Sequence, residues 1–246
     1  MNKYPKVLVG GPVSDHHEYC FDTFARALES LTYPNFDICF VDNSKGNDFY
    51  NKMKERFSST IKLDYYPDVK VRLAESRNIV REKVLNEGYD YLFCLDQDVI
   101  PPMNVIEKLV FSGKKIVSGV YFNKFRSRNP ANGESVEGVF PIAYVLSRKY
   151  NGGMTPVAKR FIDGKMRKII SCGTGCILIH RDVLEKIKFR CEEGKSGVDD
   201  VFFCIDANKL GFEIWLDTSA ICEHYVDGRP FTWGQKDLKV VTDNVS

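Results

Sequence analysis

The chain opens on a short apolar run. Residues 6–10 (KVLVG) are β-rich and close on Gly10, Gly11 and Pro12. Residues 17–31 then carry Phe21, Phe24, Ala25, Leu28 and Leu31 at a helical period. A second strand-like run, residues 37–41 (DICFV), ends in Asp42, Asn43 and Ser44. A short helix over residues 48–57 and a third strand over 61–65 follow. Residues 72–85 read as a helix that stops at Asn86, Glu87 and Gly88, a good terminator. Residues 91–95 (YLFCL) form a compact apolar strand, of the kind buried on both faces of a parallel sheet. Strand and helix alternating at this spacing predict βαβ units, and hence an α/β fold with a mostly parallel central sheet flanked by helices.

Beyond Pro101 and Pro102 the pattern predicts a helix over 105–111 and a strand over 115–121. Residues 123–168 differ: they are rich in Gly, Asn, Ser and Arg, with one strand-like piece at 140–147. Regular structure resumes with a strand at 169–171, a Gly-containing turn and a strand at 176–180. Helices at 182–187 and 199–210, the latter closed by Gly211, precede strands at 213–216 and 220–224. The polar tail, 226–246, is expected to be mobile. No internal repeat interrupts this order.

A chain of 246 residues suits one sizeable core. Its 35 Lys and Arg nearly balance 33 Asp and Glu, for a net charge of +2, which argues against an overall electrostatic grip on nucleic acid. The excess is local: residues 123–168 hold ten Lys and Arg (Lys124, Arg126, Arg128, Arg148, Lys149, Lys159, Arg160, Lys165, Arg167, Lys168) against Glu134, Glu137 and Asp163. That stretch is either a solvated loop or a contact for an anionic acceptor or acidic membrane surface. No run approaches the ~18 apolar residues of a membrane span. The N-terminal stretch lacks the features of a secretory signal, so a cytoplasmic location is expected, peripheral membrane contact included. Most of the eight cysteines sit in apolar runs and are read as reduced thiols, although an even count leaves disulfides open.

The candidate chemistry lies at strand ends. Asp96-Gln97-Asp98 follows the apolar strand YLFCL, where open α/β sheets bind ligands. Two carboxylates one residue apart suit a hard divalent cation, Mg²⁺ or Mn²⁺, that also takes substrate phosphates. The ordinary alternative is a polar loop capping the next helix. Asp42 and Asn43 end the second strand and either accept hydrogen bonds from a base or ribose or form an Asx-turn. Gly10 and Gly11 let a ligand approach backbone. Neither G-x-G-x-x-G nor the P-loop pattern is present, which weakens dehydrogenase and P-loop readings. Gly173-Thr174-Gly175 is either a tight turn or a seat for a sugar-sized ligand. Asp199-Asp200 opens a helix, as a cap would, and also supplies what a general base needs. His224 ends a strand; a lone His is more often structural unless a metal is near. His16-His17-Glu18 with Cys20 looks metal-like but lacks a second pair, so exposed imidazoles at a helix start are expected. Cys172 and Cys176 have the wrong spacing for a zinc site.

Taken together, VLVGGP, VDNS, AESRNIVRE, LFCLDQD, SCGTGC, GVDDVFF and ICEHY resemble, in order, the motifs of a GT-A-fold glycosyltransferase of the inverting family 2 group. The resemblance runs from Lys6 to about Tyr225. It implies a single GT-A domain over residues 1–225, with a small additional sheet. Residues 1–100 would form the nucleotide-binding half and 101–225 the acceptor half, with 226–246 as a tail. It implies a nucleoside-diphosphate sugar donor, a Mn²⁺ or Mg²⁺ cofactor, and a glycan, lipid-linked or protein acceptor. By the same resemblance Asp42, with Asn43 beside it, would contact base or ribose and Pro12 would line the base wall. Arg77 and Asn78 would lie near the nucleotide. Asp96 would approach the ribose and the metal, Asp98 would bind the metal, and His224 would be a further metal or phosphate ligand. Asp200 would be the catalytic base, with Asp199 preceding it, and Gly173, Thr174 and Gly175 would line the sugar pocket.

Three departures matter. The second strand ends in Asp42-Asn43-Ser44, where the family commonly has two acids. The Q-x-x-R-W signature of processive synthases is absent, since Trp233-Gly234-Gln235 does not match it, which implies one or few transfers. The membrane helices of those synthases are absent too. Three rival readings are a retaining glycosyltransferase or nucleotidyltransferase on the same fold, a non-catalytic nucleotide-sugar or glycan-binding scaffold, and a nucleic-acid-binding protein. Against the last stands the lack of interleaved aromatics.

Overall fold

The computed structural model describes residues 4–128, 135–147, 153–226, 228–231 and 239–240. Strand β1 (Val7–Val13) is buried along its whole length. A 3-10 turn, Asp15–Cys20, leads into α1 (Phe21–Glu29). The helix expected from residue 17 starts later because His17 has non-helical backbone (φ −105°, ψ 20°). Next come β2 (Phe36–Asp42), α2 (Asp48–Arg56), a two-residue β3 (Ile61–Lys62) and α3 (Val69–Asn86). The Asp68 carboxylate caps α3 by accepting from the Lys70 N–H, so this helix begins three residues before its apolar period does. Strand β4 (Tyr91–Leu95), β5 (Val99–Ile100), α4 (Val105–Phe111) and β6 (Ile116–Val120) complete the first half of the core.

Among its described residues the stretch 123–168 is mostly strand and not loop. It contains β7 (Phe122–Arg128), β8 (Ser135–Pro141), β9 (Ala143–Leu146), β10 (Met154–Pro156) and the start of β11 (Met166–Ile169). Of these, β7, β8, β9 and β10 lie in two small three-stranded sheets, apart from the large one that β11 joins, and so show little of its apolar periodicity. Then follow β12 (Ser171–Cys172), β13 (Cys176–His180), α5 (Arg181–Leu184), α6 (Asp199–Lys209), β14 (Ile214–Ile221) and β15 (Glu223–Val226). The two late strands expected at 213–216 and 220–224 divide differently. Strand β14 runs through Asp217 and Thr218 because both are satisfied in place: Thr218 Oγ1 donates to the Lys165 carbonyl at 2.7 Å, and Asp217 accepts from the Ser219 N–H at 2.9 Å. Part of the tail pairs back, as Arg229–Phe231 joins β15 and Lys239–Val240 joins β8. The rest of the tail, with Trp233, Gly234 and Gln235, lies outside the described residues.

The eight-stranded sheet has the order β11-β14-β6-β13-β4-β1-β2-β3. Six strands share one direction; β13 and β11 oppose it. Alternation along each strand feeds two cores. Leu92 and Cys94 of β4 face one, under α3 and α6 (Val80, Val84, Phe203, Ala207). Phe93 and Leu95 face the other, under α1, α2 and α4 (Phe24, Phe49, Met53, Leu109). Burial on both sides is why this strand reads as an unbroken apolar run. A side chain at Gly10 would place its Cβ 2.2 Å from the Cys39 carbonyl oxygen and 2.8 Å from Val80, so the glycine lets α3 seat directly on β1. All eight cysteines are free, and the Cys176 and Cys222 sulfurs lie 3.5 Å apart. No helix among the described residues is long and apolar enough to cross a membrane.

Candidate active site

The ends of β1, β2 and β4 open onto a cleft of about 520 Å³. Pro12 comes from β1, Asn43 from the turn after β2, and Asp96, Gln97 and Asp98 from the turn after β4. Arg72 and Arg77 reach in from α3, Thr174 from the turn before β13, Asp199 and Asp200 from the start of α6, and His224 from β15.

Backbone pairing fixes the relation of Asp98 to His224. The Tyr225 N–H donates to the Asp98 carbonyl at 2.7 Å, and β15 pairs with β5 through His224 opposite Val99. His224 Nδ1 lies 2.6 Å from the Phe122 carbonyl oxygen. A carbonyl only accepts, so Nδ1 carries the proton and Nε2 faces Asp98 Oδ2 at 3.2 Å. Burial opposes charge on Asp98, but its hydrogen bond to His224 and the nearby His224 and His17 hold its carboxyl below the usual range. His224 is correspondingly raised: burial works against its protonation, and Asp98 outweighs it. An imidazole oriented by a backbone carbonyl beside a carboxylate is how metal-ligating histidines are held. Among the described residues no three His, Cys, Asp or Glu side chains surround a common point. Asp98 and His224 are donor types that would suit a hard cation taking two protein ligands, its shell completed by substrate phosphates and water. Asp96 has one oxygen committed elsewhere.

That commitment is to Arg77. Its guanidinium, 3% exposed, donates to Asp96 Oδ1 at 2.6 Å and to Asp199 Oδ2 at 2.7 Å. Burial disfavours its charge, yet Asp199 and Asp96 hold Arg77 protonated above its ordinary value. Asp96 itself is raised, because burial exceeds what Arg77 lowers. Asp199 is 1% exposed and locked in the pair. Its neighbour Asp200 is not: among the described residues its Oδ1 accepts only from the adjacent Val201 N–H, at 2.6 Å. Burial, and then the Asp199 charge, push the Asp200 carboxyl up to about 6. Two adjacent acids thus have separate environments, one buried in contact with Arg77 and one poised to exchange a proton near neutrality.

Several expected residues are not in the cleft. Asp42 is fully buried. Lys62 holds its Oδ2 at 2.5 Å and the Ser44 hydroxyl its Oδ1 at 2.6 Å, so the carboxylate is spent inside the wall. Asn43, one residue on, does line the cleft. Asn78 faces away and clasps the Phe189 backbone through both its amide atoms, at 2.8 and 3.0 Å. Gly173 and Gly175 make room for the Tyr121 ring, since a Cβ on Gly173 would lie 2.0 Å from its hydroxyl; only Thr174 of that turn lines the cleft. His16 and His17, expected as exposed imidazoles at a helix start, also line the cleft; His16 is exposed, and His17 Nδ1 lies 3.8 Å from Asp98. Sequence reading also passed over Gln97, which accepts from the Ser14 N–H and donates to the His17 carbonyl, both at 2.9 Å, tying the first loop to the acidic one. It passed over Arg72 as well, whose only signal was its place one turn into a helix that starts at the crevice.

Fold and cleft define a glycosyltransferase of the GT-A type. The model of glycosyl transferase family 2 matches residues 18–188, and the chain belongs to that family. Asp199, Asp200 and His224 lie beyond the matched segment. The chain is similar in fold to the crystal structure of A197 from STIV, with a TM-score of 0.52, 18% identity, and coverage of 98% of this chain and 96% of that one. No curated protein matches the sequence.

Proposed function

We propose that the protein is a metal-dependent, inverting, non-processive glycosyltransferase that moves a sugar from a nucleoside-diphosphate sugar to an acceptor hydroxyl. The observation carrying this reading is the convergence on one cleft of the Asp98–His224 pair and the poised Asp200 carboxylate. Asp98 and His224 would hold Mn²⁺ or Mg²⁺, which when bound neutralises charge on the leaving diphosphate. Pro12 and Asn43 line the base side of the cleft, and Asp96, oriented by Arg77, faces the ribose. Asp200 is ionised at neutral pH and basic enough to take the acceptor proton as the hydroxyl attacks. A single base on the acceptor side supports direct displacement, with inversion at the anomeric carbon. Residues 1–100 serve the nucleotide and 101–225 the acceptor.

The test is calorimetric titration of UDP and GDP, with and without Mn²⁺, into wild type and Asp98→Ala. One nucleotide should bind only with metal, and the variant should bind it about 10–100-fold more weakly. Failure of every nucleotide to bind in the presence of Mn²⁺ would falsify the reading. Anomeric analysis of the product by NMR decides inversion.

A further inference from the structure

Strand β9 leaves the cleft with one face apolar. Ile142, just before it, lines the cleft with Asp199 and Asp200. Side chains alternate along a strand, so Ile142, Tyr144 and Leu146 share a face. Ala143 and Val145 take the other face and pack on the core with Val157. The register of β9 with β10 sets Pro156 opposite Tyr144 and Met154 opposite Leu146. Residues directly opposite one another point the same way, which extends the strip to five apolar side chains. At its inner end Tyr144 is near enough to Asp200 for that charge, after burial, to raise its phenol. At its outer end Leu146 is 61% and Met154 55% exposed.

We propose that this strip binds the hydrocarbon tail of a lipid-linked acceptor whose hydroxyl is presented to Asp200. The inference rests on the glycosyltransfer reading and names its acceptor class. The strip begins where an acceptor hydroxyl must lie, and none of it comes from the elements that face the nucleotide. A glycan would need donors and acceptors for its own hydroxyls, and the strip offers only the Tyr144 phenol. The four residue steps from Ile142, just before β9, to Leu146 span about 13 Å, the length of roughly ten methylene groups. An apolar face left in water and continuous with a binding cleft marks an interaction site.

The probes are methyl, hexyl, octyl and decyl β-glucosides. Each is titrated below its micelle concentration into the full chain with UDP, GDP and Mn²⁺ present. Affinity should rise about three- to tenfold for each two methylenes in wild type. In Leu146→Ser/Met154→Ser the increment should fall below about twofold, with an unchanged melting temperature because both side chains are more than half exposed. A flat series in wild type overturns the inference while nucleotide binding leaves the transfer reading standing. An equal slope in wild type and variant places the tail elsewhere and overturns it. So does a concentration-dependent dimer that the variant abolishes, because a second copy would then cover the strip. Loss of all nucleotide binding beside an intact slope removes the transfer reading, and the acceptor role with it.

Discussion

The two walls of the cleft are built by opposite means. The wall before residue 100 consists of parallel strand ends whose charges are closed upon one another. Asp42 is held by Lys62 and Asp96 by Arg77 from α3, which also holds Asp199 at the start of α6, in the other wall. The wall after residue 100 is made of short strands, an antiparallel β13 and a bulged β14, and it carries an exposed apolar face. Its carboxylate Asp200 forms no salt bridge among the described residues. One wall invests its polar groups in rigidity, whereas the other leaves a single acid in a costly state. On the proposed reading, the difference teaches where chemistry sits: beside a satisfied ion-pair network, on a residue excluded from it.

The sharpest way to break the comparison is Asp200→Asn. It should lower transfer about 10²–10⁴-fold with nucleotide affinity intact, read by labelled-donor kinetics and calorimetry. The same variant should be more stable at pH 7, by about 1–3 kcal/mol in urea unfolding. The sign follows from the raised carboxyl. Its stabilising protonated form is fully present below the unfolded value of 3.8 and is lost as pH rises through about 6. Wild-type kcat should correspondingly fall as pH drops through about 6, and a flat profile from pH 5 to 8 would exclude Asp200 as base.

Arg77→Ala attacks the closed wall. It strands Asp96 and a buried Asp199 without a cation, and should cost about 3–5 kcal/mol in the same unfolding experiment. A loss below about 1 kcal/mol would show that the network is not what holds that wall. Gly10→Ala drives a methyl against the Cys39 carbonyl and Val80, and about 1–3 kcal/mol of destabilisation is expected. Smallest of all is Leu146→Ser on the open wall, with stability unchanged within about 0.5 kcal/mol.

The same contrast explains what could be read in advance. Strands β1, β2 and β4 are buried on both faces, so apolar runs at 6–10, 37–41 and 91–95 disclose them without any tertiary knowledge. The strip on β9 and β10 depends on register between segments eight residues apart and more, which no local period records. Motif order pointed to Asp98, Asp200 and His224, which the fold brings to one cleft because each stands where a strand ends or a helix begins. It misplaced Asp42 and Asn78, whose polar atoms were expected to meet a ligand and instead meet Lys62, Ser44 and the Phe189 backbone. Carboxylate and amide groups look alike in sequence whether they serve a ligand or a fold. Only the partner tells them apart. His17 escaped for a related reason: it is brought to Asp98 through Gln97, a residue between two acids that drew attention to themselves.

Arg77 has one more consequence. Of the charged groups lining the cleft, four are carboxylates (Asp96, Asp98, Asp199, Asp200) and two are guanidiniums (Arg72, Arg77). These side chains carry more carboxylates than guanidiniums, the proposed donor is an anionic diphosphate, and the most buried cation is already spent on two of those acids. Arg77 cannot let go to greet the phosphates without exposing Asp199 to an empty interior. On the proposed reading, admission falls to the counter-charge that travels with the nucleotide, and the chelated donor is expected to enter ahead of the bare one.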